Sequence, residues 1–169
     1  FGAANAFMGH RRGGLASATT VASGVPGAIT GSHMAGTIIM SKIALPEMKR
    51  YNYSDELATG AVAGAAPLAI IIPPSVPMIM YGIIANENIG KLFISGIVPG
   101  VILIVLDIIL ISVVTKINPS YGPAGQRTGW KDRFRTLKTV WPIILLFVLV
   151  LGGIYGGWFT VTESGDIGA

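Results

Sequence analysis

Four long apolar stretches, separated by short polar segments, organise this chain. Gly14 to Leu45 is rich in Gly, Ala, Ser and Thr, whereas Leu57 to Ala85 holds closely spaced prolines. Leu92 to Thr115 is dominated by Ile, Leu and Val, and Thr139 to Phe159 begins beside Trp141 and ends beside Tyr155 and Trp158. Crossing about 30 Å of hydrocarbon takes about 20 helical residues at 1.5 Å each. The last three stretches therefore predict membrane-spanning helices, and the aromatic residues flanking the fourth fit an interfacial belt. The pattern is that of an all-α polytopic membrane protein.

The second stretch carries a contradiction. Pro73, Pro74 and Pro77 fall near its middle, in "AIIIPPSVPMIMYG". Each proline in a helix interior removes a donor and clashes with the preceding turn, at a cost of about 3 kcal/mol. The carbonyls of Ala69, Ile70 and Pro73 lose their usual amide partners, and hydrocarbon supplies no water in exchange. A single proline would fit a kinked structural helix; three around Ser75 predict a discontinuous helix, broken near the bilayer midplane. Ser75 is expected to cap the second half, with Pro77 accommodated in its first turn. Freed carbonyls suit a bare cation, and the N-terminal end of the second half suits a carboxylate.

The first stretch reads either as one tilted span or as two short helices that enter and return. Its centre, "ITGSHMAG", offers Thr30, Gly31 and Ser32 as a turn, with the hydroxyls beside the next helix's N-terminus. Charge favours the hairpin, with the tilted span and its Gly-rich packing face as the alternative. Lys116, Arg127, Lys131, Arg133, Arg135 and Lys138 lie in one loop with Asp132 the only acid among them, a cytoplasmic pattern under the positive-inside rule. Arg11–Arg12 and Lys49–Arg50 then both lie inside only if Gly14 to Leu45 re-enters. Two interrupted helices meeting at mid-depth point to a transporter site for an anion and its coupling ion. With oxygen ligands and no carboxylate at either break, sodium fits better than calcium or magnesium.

Composition narrows the classes. The chain is 51% hydrophobic and 12% charged, with mean hydropathy +0.66, against about 25% charged residues in soluble domains. There is no Cys and there are two His, at 10 and 33, which excludes disulfides and disfavours zinc. The net charge of +4 is concentrated in the loop, so nucleic-acid binding is not expected. No signal peptide is visible after Phe1, and the terminal "TESGDIGA" reads as the truncated start of another segment, so the chain is expected to be an internal piece of a longer protein. An intramembrane hydrolase would need a His facing Ser32 or Ser75, but His33 merely adjoins Ser32 and His10 sits at the membrane edge; a channel or structural subunit is the other rival. Asp107, inside "VILIVLDIILISVV", is a functional candidate because an intramembrane charge costs about 2.5–3.5 kcal/mol on insertion scales. It is read as paired to another helix or protonated in place, with proton coupling as the sharper alternative.

"RRGGLASATT", "GAITGSHMAG", "KIALPEMKRYNYSDELATGAVAGAAPLAIIIPPSVPMIMYGI", "IGKLFISGIVPG" and "FTVTESGDIGA" resemble consecutive segments of the large membrane subunit of TRAP (tripartite ATP-independent periplasmic) transporters, including the C4-dicarboxylate type. Residues 42–100 carry the most specific part of the resemblance. It implies an elevator-type, sodium-coupled secondary transporter of two inverted repeats in a bacterial or archaeal inner membrane, not an enzyme and without a cofactor besides Na+. It also implies a small membrane subunit and a periplasmic substrate-binding protein that delivers an organic acid such as a C4-dicarboxylate or a sialic acid; a sodium-coupled carboxylate carrier needing no binding protein is the alternative. In these terms residues 1–116 belong to the transport domain (hairpin 14–45, broken helix 57–85, helix 92–115), 117–138 to a basic cytoplasmic loop, 139–159 to a scaffold helix and 160–169 to the next segment. Carried over by motif, Thr30, Gly31, Ser32, Ile72 and Pro73 would hold sodium, and Ser32, His33, Pro74 and Ser75 would meet substrate. His33 departs from the small residue usual after Gly-Ser in the family.

Overall fold

The computed structural model describes residue 4, residues 7–30 and 32–125, and positions 141, 145, 148 and 152, with the side chains of 27–29 excepted. Gly31, most of the 117–138 loop, nearly all of the 139–159 helix and the 160–169 segment lie outside the described residues. The fold within them is all-helical: α1 (Gly14–Thr30), α2 (His33–Arg50), α3 (Asp55–Gly64), α4 (Leu68–Ile71), α5 (Val76–Ala85) and α6 (Ile89–Ile117).

Helices α1 and α2 form a hairpin, and α3, α4 and α6 pack against it. Small residues make the close contact possible. Ala16, Ala22, Ala44, Ala58 and Ala61 are buried beside Met40, Met48, Leu57 and Ile111. Four hydroxyls of α1 also lie inside: Ser17, Thr19, Thr20 and Ser23. Thr19 donates to the Leu15 carbonyl at 2.9 Å, Thr20 to that of Ala16 at 3.5 Å and Ser23 to that of Thr19 at 2.7 Å, so these three side chains are satisfied within their own helix. A face rich in Ser and Thr can thus enter an apolar interior without orphaned donors.

Both ends of the hairpin lie at one end of the molecule. The Gly13 amide donates to the Gly122 carbonyl at 2.9 Å, Gly125 to Gly9 at 2.9 Å, and Ser54 to Tyr121 at 3.0 Å. The segment before α1, the turn after α2 and the segment after α6 are therefore stitched together. Gly13 has a φ of +69, and a Cβ there would meet Ile111 and Thr115, so the crossing needs glycine. Tyr53 is buried in this layer, and its hydroxyl accepts from the Leu15 amide at 3.2 Å, satisfying one of the orphan donors of the α1 N-terminus. Burial pushes the Tyr53 phenol above its ordinary pKa, with the Leu15 bond opposing.

The segment 55–85 is apolar enough to cross a membrane as a unit, with mean hydropathy 2.0, and so is α6, at 3.0. The former is broken twice. The break after α4 falls on the predicted prolines; the other, at Ala65–Pro67, was not anticipated. Pro67 cannot bond to Ala63, and i+3 bonds take over, from Ala66 to Ala63, Leu68 to Ala65 and Ala69 to Ala66. Helix α6 starts at Ile89 rather than Leu92, because the Asn88 side chain caps it by accepting from the Lys91 amide at 3.1 Å. Single prolines, Pro26, Pro46 and Pro99, sit inside α1, α2 and α6 without ending them.

Candidate functional site

The hairpin turn comes first. Ser32 has extended backbone angles and caps α2, accepting from the Ala35 amide at 3.4 Å. Thr30 closes α1, and its hydroxyl lies 2.9 Å from the Pro26 carbonyl and 3.2 Å from that of Ser32. Both side chains are thus placed around one turn of backbone. His33 is the first residue of α2 and is exposed; its carbonyl accepts from the Thr37 hydroxyl at 2.6 Å.

The second interruption is built from Ile72 to Ser75. Ile72 is extended, the Pro73–Pro74 peptide is cis, and Pro73 and Ser75 are almost wholly buried. Ser75 does not cap α5 as expected. Its hydroxyl donates instead to the Ile70 carbonyl at 2.7 Å, one of the acceptors freed by the prolines. The reason is local. A cap side chain bonds the second or third helical amide, and the second position here is Pro77, which has none. The stranded Ile70 carbonyl is the stronger demand in a dry interior. The Ser75 oxygen keeps lone pairs for a further partner. Ala69 has no amide partner four residues on, since Pro73 stands there.

Three glycines from two helices hold this break. A Cβ on Gly24 of α1 would stand 2.7 Å from Ile72 Cδ1. On α6, one on Gly96 would stand 2.6 Å from the Ile71 carbonyl oxygen, and one on Gly100 3.2 Å from Ile72 Cγ1. The unwound backbone therefore lies directly against α6, and its Ile72 side chain reaches α1. Sequence reasoning missed this grip, although "GIVPG" is a small-xxx-small spacing that permits close backbone approach. The hairpin and the break meet at Gly24 and Ile72; Thr30 lies about 9 Å further along α1 from that contact, at 1.5 Å per residue.

The chemistry on offer is that of oxygen dipoles. Among the described residues no three His, Asp or Glu side chains gather into a metal cluster. Carbonyls and hydroxyls at both interruptions are suited to a weakly charged hard cation, not to a transition metal. Asp107 is remote from both. It lies on α6 beside Gly64 and lines a separate cleft.

Comparison with known proteins fixes the family. The family model described as "Tripartite ATP-independent periplasmic transporter, DctM component" matches residues 1–169. The chain is 37% identical over 164 residues to the C4-dicarboxylate TRAP transporter large permease protein DctM of Vibrio cholerae, covering 97% of this chain and 36% of that protein. It is 36% identical over 160 residues to the ectoine/5-hydroxyectoine TRAP transporter large permease protein UehC of Ruegeria pomeroyi, covering 94% and 37%. It is 30% identical over 168 residues to the sialic acid TRAP transporter large permease protein SiaM of Vibrio cholerae, covering 99% and 39%. The chain thus spans little more than a third of the length of these curated relatives, which are transporter permeases and not enzymes. A helical chain with two apolar segments of spanning length, matched from end to end by one family, belongs to the DctM component of the TRAP transporters, a family of membrane proteins.

Proposed function

We propose that this chain is part of the permease subunit of a sodium-coupled, binding-protein-dependent transporter of a small organic carboxylate in the inner membrane. The observation that carries the reading is a pair of helix interruptions, at Thr30–Ser32 and Ile72–Ser75, in a chain of this family, the second of them packed against α1 where Ile72 meets Gly24. Such breaks at mid-depth are where secondary transporters bind an anion and its coupling ion. The relatives named for C4-dicarboxylate and sialic acid carry organic acids, and the ectoine relative shows that cargo varies within the family.

In this proposal the hairpin α1–α2 is re-entrant. Both of its ends join one layer with the segment after α6, and its 17-residue first helix is about 25 Å long, short of a 30 Å core. Sodium is held by oxygens of Thr30, Gly31, Ser32, Ile72 and Pro73, and the substrate carboxylate meets Ser32, His33, Pro74 and Ser75. The first of two inverted repeats would supply this half-site and move as part of an elevator. A periplasmic binding protein delivers the substrate, and a small membrane subunit completes the assembly.

Uptake by the full-length permease in proteoliposomes, with its small subunit and binding protein, tests the reading. Transport is expected to require both a sodium gradient and the binding protein. Ser32→Ala is expected to raise the sodium concentration for half-maximal uptake, and Ser75→Ala the substrate concentration, each about 2–10-fold, the equivalent of one lost polar contact. Unchanged sodium dependence in the first variant would remove Ser32 from the ion site, and unchanged substrate dependence in the second would remove Ser75 from the substrate site.

A further inference from the structure

A cleft of about 260 Å³ lies between α3 and α6, apart from both helix interruptions. Asp107 contributes to its wall, and its Oδ2 is buried with no hydrogen-bond partner among the described residues. None of the lining residues, Tyr121 included, donates to that oxygen. Thr20 donates its hydroxyl to the Ala16 carbonyl at 3.5 Å, Glu56 is a second acid, and Leu110 is apolar. On α3 the cleft is floored by Gly60 and Gly64, and a Cβ on Gly60 would meet nothing within 4 Å.

We propose that this cleft receives a Lys or Arg side chain from a neighbouring transmembrane helix of the assembled permease, which pairs with Asp107. Four observations select that occupant. The unpartnered group is a carboxyl, and Glu56 in the wall is a second one, so the complement is a cation. A metal ion is disfavoured because a hard cation needs several oxygens and no acidic or His cluster of three is present among the described residues. Asp107 stands about 15 Å from the Ile117 end of α6, at 1.5 Å per residue, which is too deep for a lipid headgroup amine. A long basic side chain has the length to enter the cleft, and the Gly60–Gly64 pair lets its helix approach the α3 backbone. The relatives are well over twice this chain's length, so further membrane helices are available in such a protein. The inference is independent of the sodium reading.

The test uses the full-length permease with its small subunit in lipid nanodiscs. Asp107→Leu and Gly60→Leu are each expected to lower the thermal midpoint and to cut uptake ten-fold or more. An unchanged or raised midpoint in either variant would mean that the cleft faces lipid, and would overturn the proposal. Asp107→Lys is then combined in turn with Asp at each Lys or Arg of the remaining membrane helices. One such reversal is expected to restore uptake to within about 3-fold of wild type, an outcome a merely structural role for Asp107 would not give; failure of every reversal would refute the pairing. If Asp107→Asn keeps the wild-type midpoint and alters only the pH profile of uptake, the carboxylate carries a proton and the proposal falls.

Discussion

The Ile71 carbonyl oxygen lies 2.6 Å from where a Cβ on Gly96 would stand, and Met78 Cε lies 2.5 Å from that point. The methionine can swing aside, but the carbonyl belongs to backbone that the prolines already constrain. Gly96→Ala is therefore expected to push the break away from α6, costing about 1–3 kcal/mol as an overpacked substitution does. The checks are the thermal midpoint and the sodium dependence of uptake, both of which should worsen. A variant with wild-type values in each would show that the break does not depend on its contact with α6. Tyr53 makes a separate prediction. Its phenol is held above the ordinary value near 10 by burial, so the folded state retains the proton more tightly than the unfolded state. The resulting stabilisation is complete below pH about 10 and is lost as pH rises through the raised folded value. Stability measured from pH 9 upward should fall more steeply in wild type than in Tyr53→Phe. That variant should also lose about 0.5–1.5 kcal/mol at neutral pH, because the Leu15 amide no longer has its acceptor.

Helix breaks were legible in the sequence to the extent that several signals coincided. Pro73, Pro74 and Pro77 remove successive donors, and the chain unwinds where they predict. Pro67 acts alone, like Pro46 and Pro99, yet only Pro67 ends a helix. Proline type does not distinguish these cases. Tertiary packing does, since Ala65 and Leu68 are fully buried and fix the chain on either side of the tightened turn. The Ser32 cap was readable from its position before the helix, whereas the Ser75 bond was not, because it depends on which carbonyl is left stranded in three dimensions. Gly96 and Gly100 share a small-xxx-small spacing, but nothing in the sequence ties them to Gly24, which is far away along the chain and joined to them only by packing around Ile72. Asn86, just past the end assigned to the second stretch at Ala85, adopts a left-handed φ of 54 and ends α5. Asn86→Gly should be nearly neutral, while Asn86→Val should cost about 1–2 kcal/mol for forcing a branched side chain into that region. Thermal unfolding of the two variants, compared directly, checks this; equal midpoints would argue that the turn relaxes without penalty.

On the scale of the molecule, the arrangement of ends matters more than the number of spans. Three backbone bonds, Gly13 to Gly122, Gly125 to Gly9 and Ser54 to Tyr121, bring the beginning of the hairpin, its end and the end of α6 into one layer. Arg11, Arg12, Lys49, Arg50 and Lys116 flank that layer, so these five basic residues collect at one end, while the 86–88 turn joining α5 to α6, with Lys91 beside it, lies at the other end of α6. The same charges, read along the sequence, leave a tilted single span as the rival to a re-entrant hairpin; in the proposed re-entrant reading the bonded segments before α1 and after α2 share one side of the membrane. The absence of Cys from the chain makes the consequence measurable. Single cysteines at Arg12, Asn52 and Ser120 of the full-length protein should share one labelling side in intact cells, protected from an impermeant thiol reagent until the membrane is permeabilised. A cysteine at Glu87 should react from outside without permeabilisation. Because the positive-inside rule acts on loops near membrane ends, the common side should be the cytoplasm. Labelling of Arg12 and Asn52 from opposite faces would make Gly14 to Leu45 a full span, and an ion site at Thr30–Ser32 could not then lie at mid-depth by re-entry.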